Sequence, residues 1–127
     1  LVVSVGELIE AKGHHLVLES MRWLVEGGHD VRLAIVGKTG RGGACYEAQL
    51  RRLVAALGLE RHVEFTGWLN RAGLAALLSR AAVSCLASYT EGWPNVVHEA
   101  LSCGTPVVAT DVGGVRDLLP NAAFGLI

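Results

Sequence analysis

Short apolar runs alternating with amphipathic segments constrain this chain more than any other feature. The runs are Leu1–Val5, Val31–Val36, Val63–Thr66, Val83–Leu86 and Pro106–Ala109, with the start of a sixth at Phe124–Ile127. Between them, Val17, Met21, Leu24 and Val25 recur at helical spacing, as do Leu50, Leu53, Val54 and Leu57. Leu74, Leu77 and Leu78 make a shorter third stripe, and Gly27, Gly28 and Gly58 fall where helices would end. Strands that are apolar throughout, separated by helices, predict a parallel sheet covered on both faces and joined by right-handed crossovers. The expected class is therefore α/β, in three layers.

The chain of 127 residues reads as one domain, without repeat, linker or low-complexity tract. With 51% apolar and 18% charged residues it belongs among globular chains. A net charge of −1 and scattered arginines offer no stripe for nucleic acid. No apolar run approaches the roughly 20 residues that span a bilayer, and no leader is seen. Cys45, Cys85 and Cys103 are odd in number and widely spaced, which predicts reduced, mostly buried thiols of a cytosolic protein. The chain opens inside "LVVSVG" and stops at "FGLI", both strand-like, so it is expected to be a piece of a larger protein.

Ligands of such sheets bind beyond the carboxyl ends of the strands, which directs attention to the loops that follow them. In "VGKTGRGG" the Gly-Lys-Thr triplet falls short of a phosphate-binding P-loop, because Arg32 stands where that pattern needs glycine. No G-x-G-x-x-G follows any strand, which argues against a dinucleotide fold. The segment reads as a glycine-rich loop, with Gly37 directly after a strand and so bordering a ligand. In "VGELIEAKGHH", Gly6 lets the backbone leave the strand tightly, and Lys12 precedes Gly13 at the next helix start. A lysine beside exposed helix N–H groups suits a phosphate or diphosphate, although a loop lysine is also a common surface charge. His14 and His15 are adjacent and point to different sides. They read as structural or surface residues, with no cluster to support a metal.

The stretch "TEGWPNVVHEALSCGTPV" sets Glu91 before a short helix and Glu99 inside it. Pro94 suits the first helical position, which predicts a helix from about Pro94 to Cys103. Val96, Val97, Ala100, Leu101 and Cys103 share its core arc, with Asn95 and Glu99 together at the edge. Two readings of the glutamates stand on spacing alone. In one, they flank a diphosphate and accept hydrogen bonds from sugar hydroxyls. In the other, Glu91 complements the helix dipole and Glu99 lies on a solvated face. Trp93 and Trp68 are either core or walls of a cleft, and spacing favours core or half-buried packing.

Taken in order, the motifs resemble the C-terminal, donor-binding domain of GT-B fold glycosyltransferases of the retaining family 4 type (glycosyl transferases group 1). "VSVGELIEAKGH" is similar to the first strand and lysine loop, and "VRLAIVGKT" to the second strand and its glycine. "VEFTGWLNRAGLAALLSRAAVSCLAS" is similar to the third and fourth strands, and "YTEGWPNVVHEALSCGTPVVATDVGGVRDLL" to the signature with its E-x7-E. The resemblance covers the whole chain and implies a Rossmann-like α/β/α domain. It gives Glu99 the ribose hydroxyls of a nucleotide-diphosphate sugar. Glu91, with Gly92 and main-chain groups of Trp93, Pro94 and Asn95, would hold the transferred sugar and the distal phosphate. Lys12 would neutralise the diphosphate, following Gly6 in its loop, and Gly37 with Gly67, Trp68 and Leu69 would contact the base. Lys12 and Glu91 are thus the implied catalytic residues.

Two positions depart from that family. Glu7 replaces the usual arginine, which implies a side chain pointing away and a clamp on the diphosphate that is either weaker or supplied elsewhere. Pro94 stands where many members have glycine and removes one amide donor, although Gly-Trp-Pro-Asn variants occur in the family. The implied chemistry is retaining, hexosyltransferase-type transfer of a sugar to an acceptor hydroxyl, without metal or other cofactor. The acceptor site would lie on an N-terminal domain missing from the chain, so the fragment is expected to be inactive alone. The expected location is the cytoplasm or the cytoplasmic face of the membrane, with membrane contact only through the missing parts. Alternatives are a non-catalytic nucleotide-sugar binding domain and a GT-B fold epimerase, with an NAD-dependent oxidoreductase third. Base, sugar, acceptor and oligomeric state are not specified by the sequence.

Overall fold

A computed structural model describes residues 1–40 and 44–127. Strand β1 (Val2–Val5) leads through a 3-10 turn (Glu10–Lys12) into α1 (His14–Glu26). Then come β2 (Leu33–Val36), α2 (Ala44–Ala56), β3 (Val63–Gly67), α3 (Arg71–Leu78) and β4 (Val83–Leu86). The chain closes with α4 (Asn95–Ser102), β5 (Val107–Ala109), α5 (Val115–Leu118) and β6 (Gly125–Leu126). All six expected strands are present with small shifts at their ends. Of the glycine-rich loop expected over Val36–Gly43, residues 41–43 lie outside the described residues.

The strands form one parallel sheet in the order β3-β2-β1-β4-β5-β6. In β1, Val3 sits opposite Ala34 on one side and Ser84 on the other. Because side chains alternate across a strand, β1, β2 and β4 in the middle of the sheet feed two cores, while β3 and β5 feed one each. Val2, Leu33 and Ile35 pack with Leu18, Met21 and Leu50 of α1 and α2. Val3, Val36, Leu86 and Val107 pack with Leu78, Val97, Ala100 and Val115 of α3 to α5. Burial on both faces is why the central strands β1 and β2 read as continuous apolar runs, and the fold is the Rossmann-like α/β/α type.

Several expectations need correction. Leu24, placed in the buried stripe of α1, is 38% exposed. Its neighbour Val25 packs against the core instead, so Val25 and not Leu24 carries the buried face of the last turn. Pro94 is the N-cap of α4 and not its first residue, since its ψ of 94° is extended while its carbonyl already accepts from Val97 N–H at 3.0 Å. Cys103 is likewise the C-cap. Cys85 and Cys103 are half-buried but Cys45 is exposed, so the thiols are not the mostly buried set expected. Burial pushes the Cys85 thiol up to about 11. Helix α5 has a single buried pair, Val115 and Leu118, too short a repeat to register as a stripe.

Candidate functional site

Sheet order reverses between β1 and β4. From β1 the chain moves outward to β2 and β3, and from β4 it moves the other way. Crossovers leave such a point in opposite directions and open a crevice at the carboxyl ends of the two strands. The loops there are Gly6–Gly13 after β1 and Ala87–Pro94 after β4, the two segments that carry Lys12 and Glu91.

Backbone contacts lock these loops together. Gly13 has φ +64°, and a Cβ there would lie 2.0 Å from the carbonyl oxygen of Ala87. The Tyr89 N–H donates to the Ala11 carbonyl at 2.9 Å. Beneath the first loop, Ser4 Oγ lies 2.9 Å from His14 Nδ1, and His14 Nε2 lies 3.2 Å from the Glu7 carbonyl. A carbonyl only accepts, so Nε2 carries the proton and Nδ1 accepts from Ser4. Burial holds the His14 imidazole below its usual pKa, which keeps it neutral and suited to this arrangement. His15 points elsewhere, with Nδ1 2.8 Å from the Tyr46 hydroxyl and Nε2 3.0 Å from that of Tyr89.

Across the crevice Lys12 Nζ donates to Glu91 Oε1 at 2.7 Å, with side chains 26% and 12% exposed. The carboxylate also accepts from Ser88 Oγ at 2.6 Å. Thr110 Oγ1 in turn donates to the Ser88 carbonyl at 2.6 Å. Glu7 is exposed, with Oε2 3.1 Å from where a Gly40 side chain would begin. The Gly114 N–H donates to the Gly92 carbonyl at 3.0 Å. A Cβ on Gly114 would lie 2.2 Å from Cε3 of Trp93, so the ring lies directly against that backbone. Trp93 Nε1–H donates to His98 Nε2 at 3.0 Å.

Helix α4 begins at a buried proline with no side-chain cap, and the N–H groups of Asn95 and Val96 in its first turn donate to none of the described residues. Asn95 and Glu99 are exposed on its surface. Glu99 lines a separate cleft of about 260 Å³ with Arg71 and Leu74 of α3 and His98. The loops after β2 and β3 meet through the Gly37 N–H, which donates to the Gly67 carbonyl at 3.0 Å. Gly37, at φ +156°, would place a Cβ 1.8 Å from the Gly6 carbonyl, so all three glycines lie along one rim.

The structure thus brings Gly6, Lys12, Gly37 and Gly67 onto connected loops and joins Lys12 to Glu91, Gly92 and Trp93 through the second loop. It does not join Glu99 to Glu91. Trp68 and Trp93 are 68% and 52% exposed, so the core or half-buried packing favoured by spacing is wrong; Trp68 directly follows β3 and Trp93 lies in the loop between β4 and α4. Leu69 is half-buried against the core. Sequence reasoning missed Ser88, Thr110 and the glycine pair Gly113-Gly114. The signals were slight: a serine just after a strand and a doubled glycine after the next.

The family model for glycosyl transferases group 1 matches residues 1–127. The D-inositol 3-phosphate glycosyltransferase of Kribbella flavida is 30% identical over 131 residues, covering 100% of this chain and 31% of that protein. The phosphatidyl-myo-inositol mannosyltransferase of Mycobacterium leprae is 37% identical over 115 residues, covering 90% of this chain and 29% of that protein. Among solved structures, Anabaena HepE in complex with UDP-glucose matches with TM-score 0.89 and 27% identity, over 99% of this chain and 34% of its own. The chain spans about a third of the length of these relatives. Matched along its whole length, and carrying both switch-point loops on a Rossmann-like sheet, the chain belongs to the glycosyl transferases group 1 family.

Proposed function

We propose that this chain is the donor-binding domain of a retaining glycosyltransferase that uses a nucleotide-diphosphate sugar. The observation that carries the reading is the 2.7 Å Lys12–Glu91 pair, set across the switch point beside the uncapped start of α4. A diphosphate there meets the lysine ammonium and the positive end of the helix, both of which favour an anion. As the sugar bond breaks, negative charge grows on the distal phosphate oxygen, and the same groups stabilise it. Glu91 accepts hydrogen bonds from sugar hydroxyls. Glu99, exposed on the far side of α4, takes the ribose, and the rim of Gly37, Gly67 and Trp68 takes the base. Glu7, turned toward Gly40, does not oppose the phosphate, which weighs against a lost active site.

Groups that bind and activate the acceptor come from outside these 127 residues, so the chain binds donor and does not transfer it alone. The work is cytoplasmic, and among the described residues no helix is long and apolar enough to cross a membrane. The uridine diphosphate bound by HepE makes UDP the first nucleotide to test. Calorimetric titration of the chain with UDP, GDP and ADP is expected to show saturable binding of one of them. Glu99→Ala should weaken that binding about ten-fold or more, through lost hydrogen bonds to a charged acceptor. Absence of binding by a folded chain, with all three nucleotides, would remove the reading for the isolated domain.

A further inference from the structure

We propose that Ser88 is a positioning residue for Glu91: its hydroxyl holds Oε1 and leaves Oε2 to the sugar. The inference rests on the nucleotide-sugar reading above. Ser88 is 1% exposed, and a buried hydroxyl must find a partner. It donates to Glu91 Oε1 at 2.6 Å, the same oxygen that Lys12 reaches at 2.7 Å. Each carboxylate oxygen has room for about two hydrogen bonds, so Oε1 is filled. Oε2 accepts from none of the described residues. It is also not sealed in, because among them no buried side-chain oxygen lacks a partner. Oε2 is therefore the atom left to face a ligand.

The serine is itself held from behind. Its carbonyl accepts from Thr110 Oγ1 at 2.6 Å, and the next N–H, that of Tyr89, is tied to Ala11. This matters when donor arrives. The diphosphate competes with Glu91 for Lys12, and a carboxylate held by the lysine alone would swing free as its cation is drawn off. Ser88 keeps the carboxylate in place during that exchange, so one group can lose its lysine and still present an ordered oxygen to the sugar.

The test compares wild type with Ser88→Ala and Ser88→Cys, which keeps the shape in a slightly larger side chain but donates weakly. Each is titrated with UDP and UDP-glucose, and with GDP and GDP-mannose, and the unliganded Ser88→Ala protein is crystallised. Ser88→Ala should lose about ten-fold in affinity for the sugar nucleotide and none for the bare nucleotide, with Ser88→Cys between them. In the crystal the Glu91 carboxylate should leave its wild-type position. Equal losses for both ligands would mark a merely structural serine and overturn the proposal, as would no loss for either. If wild type binds no nucleotide, the donor reading fails separately. The crystal then decides alone, a displaced carboxylate supporting the role of Ser88 and an unmoved one ending it.

Discussion

Glu91 and Glu99 belong to one short segment yet meet opposite conditions. Glu91, in the loop before α4, is 12% exposed on its side chain and accepts from Lys12 and Ser88. Glu99, in the second turn of α4, is exposed, and its carboxylate accepts from none of the described residues. The loop end is built before any ligand arrives, stapled by backbone contacts to a loop from the other half of the sheet. The helix end is open ground. Pre-organisation reduces the ordering that binding must supply, so the phosphate and sugar end is the rigid half of the proposed site and the nucleoside end the adaptable half.

The largest effect expected of any substitution at the rigid end is that of Gly13→Ala. It forces a left-handed φ on alanine and drives Cβ into the Ala87 carbonyl, so urea unfolding should show a loss of more than about 2 kcal/mol. A loss within about 0.5 kcal/mol would mean the loops are not locked. Next comes the ion pair itself. A double-mutant cycle on Lys12→Met and Glu91→Ala should give a coupling of about 1–2 kcal/mol in stability, because the pair is largely shielded. The Arg22–Glu26 pair, with side chains 51% and 53% exposed, is the internal control and should give about 0.3–0.5 kcal/mol. Equal couplings would erase the contrast between shielded and open ground.

A pH titration of stability probes the same end through His14, whose folded pKa lies below 6.5 because it is buried. Below pH 6.5 the unfolded chain takes up a proton that the folded chain refuses, so stability rises with pH in that window. It should be level above 6.5 and fall as pH drops toward the folded value, and His14→Gln should flatten the decline. A decline unchanged by His14→Gln would assign it to other groups. The smallest effect belongs to the open end. Glu99→Ala should leave stability within about 0.5 kcal/mol of wild type, whatever it does to nucleotide binding.

The sheet was legible because burial on both faces writes its central strands as apolar runs, and the longer helices because their stripes repeat over about two turns. The helix α5 repeats too briefly to be read that way. The glutamate pair was legible because the whole motif lies within one stretch of chain. What joins it to the rest was not. Lys12 and Glu91 are 79 residues apart in sequence, and no local pattern reports that they touch. Ser88 and Thr110 act through single contacts without period. The two tryptophans failed for a related reason: a lone aromatic outside a stripe carries no phase, and only the sheet rim explains why Trp68 and Trp93 stay exposed.

The position of β1 in the middle of the sheet has a kinetic consequence. Val3 can pair with Ala34 as soon as β2 exists, but its second neighbour, Ser84, comes much later in the chain. Until β4 docks, β1 carries an open strand edge, a template for mispairing. Long-range pairing of this kind is slow, since a large loop must close before any contact rewards it. The crevice with Lys12 and Glu91 is therefore among the last features to assemble. Pulsed hydrogen exchange during refolding should protect the β1–β2 amides before those between β1 and β4, and the reverse order would refute this sequence of events. A nascent chain halted before β4 is then a fragment with a sticky edge, and a chaperone that shields that edge would be guarding the unfinished site as well.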